Sequence, residues 1–427
     1  MAGRHALRLL GAFLGSVLLA ALCGSCPAAP EPDDYAGWSL RLTIALEHND
    51  APGEVRAVTT IGRRWPDQLR EHWSGTVPRV VTDSEQARLG QPRIDLLQLL
   101  FDLKWLTRTG EPARWWRQLA LSLLEQGKEA QAIAVATHIT SARELIALQV
   151  DRRFDRISSA SGFEHDVARA AEQELQERQK SAAEQPRSLL RIVDVTGALR
   201  LLGRYTEVVQ LTDDVLQRCD AAPQDTSLYA DQQAQLPWIL DARALALWAL
   251  GRFDDAAEAS RRAARDRQND IGLQINLALR LARLGRAQEA LAALPLLDTY
   301  ANLRGYALAN EVHIMAAREL GDLKERDVAL SRVATYTKDS PTLHQHALVL
   351  AGHDDEAARV LAARLRDPLQ RSDALVELQD YHSGANTPRQ QEWRQHALAL
   401  RDRPEIQRLI KQFGRIQSYP IDDIDDL

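Results

Sequence analysis

Gly251-Arg252-Phe253-Asp254-Asp255-Ala256-Ala257 returns 34 residues later as Gly285-Arg286-Ala287-Gln288-Glu289-Ala290-Leu291. Glycine takes the left-handed backbone that closes a helix at no steric cost. Asp254 or Gln288 can then help open the next helix, and the small Ala256 and Ala290 suit a close helix crossing. Upstream, Leu240, Ala244, Leu247 and Trp248, and again Leu277, Ala278 and Leu281, lay an apolar stripe along a helix. A helical hairpin of this kind exposes apolar surface on both sides, so stacking in series is its stable arrangement.

The phrase recurs as Gly127-Lys128-Glu129-Ala130-Gln131-Ala132-Ile133, preceded by Trp116, Leu119 and Ala120, as Gly203-Arg204-Tyr205-Thr206-Glu207-Val208, and as Gly352-His353-Asp354-Asp355-Glu356-Ala357-Ala358. Gly321 is a weaker copy, with Arg326 where the small residue belongs, and its turn is expected to be built differently. A helix-turn-helix phrase of this period resembles the tetratricopeptide-repeat (TPR) family. The resemblance covers residues 94–370 and implies an all-α fold, an α-solenoid of antiparallel helical hairpins. The 76 residues from Gly127 to Gly203 leave room for a degenerate hairpin, 142–154 with 163–183. The 48 residues from Gly203 to Gly251 leave room for a longer loop over 220–237.

The resemblance also implies a function. The first helix of each TPR hairpin lines a concave groove, and the glycine register places Trp238, Asp241, Leu245, Trp248, Ile275, Asn276, Leu279, Arg283, Glu311, Met315 and Arg318 there. Aromatic anchors, an apolar floor and a few charges compose a peptide-binding surface. The alternative for Trp238 and Trp248 is that they fill gaps between hairpins. The Lys and Asn set with which some chaperone adaptors clamp a terminal carboxylate is missing: only Asn276 matches, with Asp241 and Leu245 in place of its partners.

Both ends differ from the array. Arg4 and Arg8 precede the uncharged run Leu9–Leu22, and Pro27, Pro30 and Pro32 follow it, the pattern of a secretory signal over residues 1–29. The run is shorter than the roughly 20 apolar residues a spanning helix needs, so no transmembrane span is expected in the mature chain. Lipid attachment at Cys23 or Cys26, as in a lipoprotein, is the alternative. With both gone, Cys219 has no partner in the chain and is read as a small apolar residue. In the Trp-rich segment 30–93, Trp38, Leu40, Leu42, Ile44 and Leu46 alternate with polar residues, predicting a β-hairpin with 55–61. Capping helices are expected over 371–415, with one at Pro404–Phe413, and a disordered acidic tail over 416–427.

A net charge of −6 with balanced acids and bases excludes the basic excess of a nucleic-acid binder. No phosphate loop, nucleophile elbow or metal-spaced His pair is present. His344 and His346 stand two apart on a helical segment and face different sides. No catalysis, cofactor or metal is therefore expected. The reading is a periplasmic or secreted scaffold that binds a polypeptide partner. Its rival is an accessory or catalytic module in the Trp-rich segment, supported by the array.

Overall fold

The computed structural model describes residues 31–422 apart from 108–109, 161–162, 165, 222–227, 268–269, 296–302 and 336–339. The predicted signal and the end of the acidic tail, residues 423–427, lie outside the described residues. The chain divides into two compact units between Lys104 and Trp105.

The first unit is helical: α1 (Tyr35–His48), α2 (Ala51–Arg64), α3 (Pro66–Trp73), α4 (Val77–Gln86) and α5 (Gln91–Asp102). The β-hairpin expected over Trp38–Ile61 is therefore corrected to two helices. Their caps explain the outcome, because the Asp34 carboxylate accepts from the Gly37 N–H at 2.9 Å and the Asp50 carboxylate from the Gly53 N–H at 3.2 Å. Between the helices, Asn49 takes the left-handed conformation at φ 51°. The α1 core residues are Trp38, Leu42 and Ala45, at helical spacing, while Leu40 is 53% and Ile44 42% exposed. Helix α5 packs on α2, which carries this unit past residue 93, the boundary read from the sequence, to Lys104.

The second unit holds the repeats. Its hairpins are α6 (Ala113–Glu125) with α7 (Glu129–Ala136), the irregular pair α8 (Ala142–Val150) and α9 (Asp155–Ser158), and α10 (Val167–Glu184) leading to α11 (Leu189–Leu201) with α12 (Tyr205–Ala221). Then follow α13 (Gln232–Ala249) with α14 (Phe253–Asp266), α15 (Ile271–Arg283) with α16 (Ala287–Ala293), α17 (Leu303–Leu320) with α18 (Leu323–Ala334), and α19 (Pro341–Ala351) with α20 (Asp354–Arg366). Gly127, Gly203, Gly251, Gly285, Gly321 and Gly352 all sit between paired helices at φ 67° to 78°. Each donates to the carbonyl three residues back, and the next residue donates to the carbonyl five residues before it, as Gly251 to Trp248 at 2.8 Å and Arg252 to Leu247 at 2.9 Å. Gly321 makes the same turn as the rest, so its expected difference is corrected: the turn depends on the glycine, not on Arg326. Asp254 and Gln288 lie inside the first turns of α14 and α16 and do not occupy the cap position.

Helices of a hairpin pack on each other, and α11, α13, α15 and α17 each also pack on the next of the series, which ends at α19, forming an inner rank. Ala256 and Ala290 are fully buried where the helices cross. Buried Cys219 packs with Leu189, Val215, Tyr229 and Ile239, as a small apolar residue does. Helix α13 begins within the predicted loop 220–237 and carries Pro237 in its second turn.

The C-terminal part folds back over the array as α21 (Arg371–Glu377), β1 (Asp380–His382), α22 (Pro388–Arg401), α23 (Pro404–Phe413) and β2 (Ser418–Asp422). Strands β1 and β2 pair in parallel, so residues 418–422 are ordered, against the expected disordered tail. The Arg415 N–H donates to the Val150 carbonyl at 3.0 Å, and Tyr205 donates to the Asp422 carboxylate. These bonds tie the chain end to α8 and α12. No described helix is long and apolar enough to cross a membrane.

Candidate functional site

Ten and six residues before their turn glycines, the inner helices carry Asp241 and Leu245 on α13, Ile275 and Leu279 on α15, Glu311 and Met315 on α17, and Thr342 and His346 on α19. Equivalent positions on parallel neighbours stack into one stripe. All of these except Ile275 line a cavity of about 390 Å³, joined by Asn276, Arg280 and Arg283 of α15, Arg304 and Leu308 of α17, and Arg200 of α11. Trp393 of α22 and Glu377 of α21 also line it.

Seven of the residues expected in the groove thus meet in one place: Asp241, Leu245, Asn276, Leu279, Arg283, Glu311 and Met315. Four do not. Ile275 is 2% exposed and, unlike Leu279 and Met315 of the same core cluster, does not line the cavity. Trp238 packs with Leu216, Leu240, Ala263 and Leu273, between hairpins. Trp248 is buried, with its indole N–H donating to the Gln390 side-chain oxygen at 3.0 Å and its ring edge-on to Phe253. Arg318 donates to the Leu350 carbonyl at 2.6 Å and to Glu392 at 3.0 Å. The two tryptophans are gap fillers, the alternative reading of these residues. Thr342 and His346 could have been found by extending the register to Gly352. Trp393 and Glu377 carried no such signal, since they come from elements remote in sequence, and Arg200, on α11, stands three residues before Gly203 and so off the ten-and-six register.

A segment of the chain itself explains why Trp248 and Arg318 are covered. Residues 384–396 run as a strap past the ends of the inner helices. The Ala385 N–H donates to the Ala249 carbonyl at 2.7 Å, and any side chain at Gly384 would come within 2.7 Å of Ala249 Cα. Thr387 and Gln390 form a reciprocal capping box that opens α22. The Thr387 hydroxyl also donates to the Arg283 carbonyl at 3.1 Å. Further along, Arg389 pairs with Glu319, Glu392 with Arg318, and His396 with Asp354 at 2.8 Å. Trp393, 4% exposed, packs into the core cluster that also holds Leu281, Leu348 and Leu400.

Three of the cavity's charges, Asp241, Arg280 and Glu377, are held by the fold. Arg280 donates to Asp241 at 2.7 Å and to the Ser260 hydroxyl at 2.9 Å, while Asn276 donates to Asp241 at 3.1 Å. The Asp241 of the stripe is therefore an ion-pair partner inside the protein. Glu377 is gripped by Arg364 through two bonds of 2.6 and 2.7 Å. Glu311 is different: it is 7% exposed and its Oε1 has no hydrogen-bond partner. Burial pushes its carboxyl up to about 7, against the pull of Arg283 and Arg304.

In the first unit, a hollow beside α1 has Arg41, His48, Asp50 and Arg56 as its charged or polar lining. Asp50 is spent on capping α2, the His48 ring bonds the Ile44 carbonyl at 2.8 Å, and the Arg41 guanidinium lies 5.3 Å from the Trp38 ring centre.

No family model matches the chain, and no curated protein matches it. Among solved structures it is similar to the Cut9-Hcn1 hetero-tetramer of the APC/C, with 12% identity and a TM-score of 0.36 over 89% of this chain and 86% of that one. It is also similar to the TPR domain of P58(IPK), with 14% identity and a TM-score of 0.22 over 88% of this chain and 96% of that one. Six like turns, paired helices and an inner rank packed in series make the second unit a TPR-like α-solenoid.

Proposed function

We propose that the chain is a non-catalytic scaffold that binds a polypeptide partner on the inner helices, acting outside the cytoplasm once residues 1–29 are removed. The observation that supports this reading is the cavity of about 390 Å³, where half-buried Leu245, Leu308 and Leu343 stand among charged side chains. Clefts of this size, apolar with a few convergent polar groups, are the usual places where ligands dock. The strap contributes Trp393 to the wall of this cavity while it takes up Trp248 and Arg318. The binding surface is accordingly proposed at Leu245, Asn276, Leu279, Arg283, Leu308, Glu311 and Met315, without the two tryptophans. Export rests on the charge and apolar pattern of residues 4–22.

The test is capture of the native partner. A Leu245→Asp/Leu308→Asp double variant should lose capture by tenfold or more while keeping wild-type helical content and a melting temperature within a few degrees, because half-buried positions tolerate polar replacement better than core ones. The chain itself, recovered from the exported fraction, should have lost its first ~29 residues. Full-strength capture by the folded double variant would move the binding surface away from the inner helices.

A further inference from the structure

In the first unit, Glu54 stands in the first turn of α2, is fully buried, and neither of its carboxyl oxygens accepts a hydrogen bond. A charged side chain is almost never buried in this way without a partner. The neighbour it meets is a second acid, Asp83 of α4, the helix that packs on α2. The nearby cation, Arg79, is already engaged with Asp83 at 3.2 Å, the Asn49 side-chain oxygen at 3.0 Å and the Leu46 carbonyl at 2.9 Å. Two carboxylates only accept hydrogen bonds, so they repel. With one proton between them, one carboxyl donates to the other.

We propose that this pair is a pH-sensitive latch, in which a single proton held between Glu54 and Asp83 joins α2 to α4 and its loss as the pH rises loosens the N-terminal unit. The latch is separate from the binding face on the inner helices.

Burial first, and then the Asp83 charge, push the Glu54 carboxyl up to about 7. Arg79 pulls the other way, while Asp50, at the head of α2, adds to the push. A first-turn position ordinarily favours a negative charge, and here burial outweighs it. The elements packed on α2 bring other charges, which are exposed or turned elsewhere. On α1, Arg41 lies over the Trp38 ring and the His48 ring bonds the Ile44 carbonyl. On α3, His72 is exposed and Arg70 donates to the Leu103 carbonyl; on α5, Arg93 pairs with Glu85.

The folded state holds the Glu54 proton more tightly than an opened one, where a glutamate releases it near its ordinary 4.5. The latch is therefore complete at low pH and is lost progressively as the pH rises from about 4.5 to about 7. Above that range both states are ionised and the dependence levels off. Between pH 6 and pH 8 the opening equilibrium should rise about tenfold.

Hydrogen exchange of the full chain at pH 6 and pH 8, corrected for the pH dependence of the exchange chemistry itself, tests the latch. Protection in α2 and α4 should fall about tenfold in the wild type. Glu54→Gln, which keeps the shape and offers Asp83 a donor at every pH, should be equally protected at both. Asp83→Asn, which gives an ionised Glu54 a donor, should shrink the fall. A fall that survives intact in Glu54→Gln would assign the effect to His48 or His72 and overturn the proposal. Carbon-13 NMR of the glutamate carboxyls decides the matter even if Glu54→Gln does not fold. One carboxyl should titrate near 7 in the wild type and at lower pH in Asp83→Asn. Glutamate midpoints that are the same in both proteins would also overturn the latch.

Discussion

Glu377→Ala should lower the stability of the protein by about 3–5 kcal/mol, the usual cost of removing one partner from a buried ion pair. The Arg364 guanidinium is 1% exposed and donates to both Glu377 oxygens and to the Gln345 side chain at 2.7 Å. Without the carboxylate, a full positive charge stays buried with one neutral acceptor. The pair joins α21 to α20 and positions the first of the returning C-terminal elements. Urea unfolding followed by circular dichroism measures the loss, and Arg364→Met in the same background should recover part of it by removing the stranded charge. A loss below about 1 kcal/mol would mean that water reaches Arg364.

Trp393→Ala should cost about as much, 3–5 kcal/mol, through lost apolar burial and the cavity it leaves. Apart from Leu400, buried at the far end of α22, the remaining anchors are mostly ion pairs at half-exposed positions, such as Arg318 with Glu392 at side-chain exposures of 28% and 51%. Exposed pairs contribute little, so the indole is the main apolar anchor of the strap. The same substitution should raise proteolysis within residues 384–401 more than within α13–α20. Equal protection of the strap in wild type and variant would show that polar contacts alone hold it.

The turns were legible in the sequence because they depend on a local requirement. A left-handed residue closes each inner helix, and glycine marks it whether or not a small residue follows at the usual place, as Gly321 with Arg326 shows. The stripe at ten and six residues before each glycine was legible for the same reason. The N-terminal segment was misread because five alternating apolar residues fit a strand as well as a helix. The Asp34 and Asp50 caps decide the matter and were present in the text. Trp248 was misplaced for a nonlocal reason. The residue that takes the Trp248 indole, Gln390, is 142 positions away, and periodicity carries no information on a strap that returns from the chain end.

Hydrogen exchange of the full chain, alone and with its captured native partner, tests the central claim that the inner helices form the binding face. Those helices lie in the second unit, where the cavity gathers side chains of α11, α13, α15, α17 and α19. The partner should slow exchange in α13, α15, α17 and α19 around residues 241–249, 276–283, 308–315 and 342–350, and leave α1–α5 unchanged. Slowed exchange confined to residues 35–102, with the inner helices unaffected, would contradict the claim and transfer binding to the N-terminal unit.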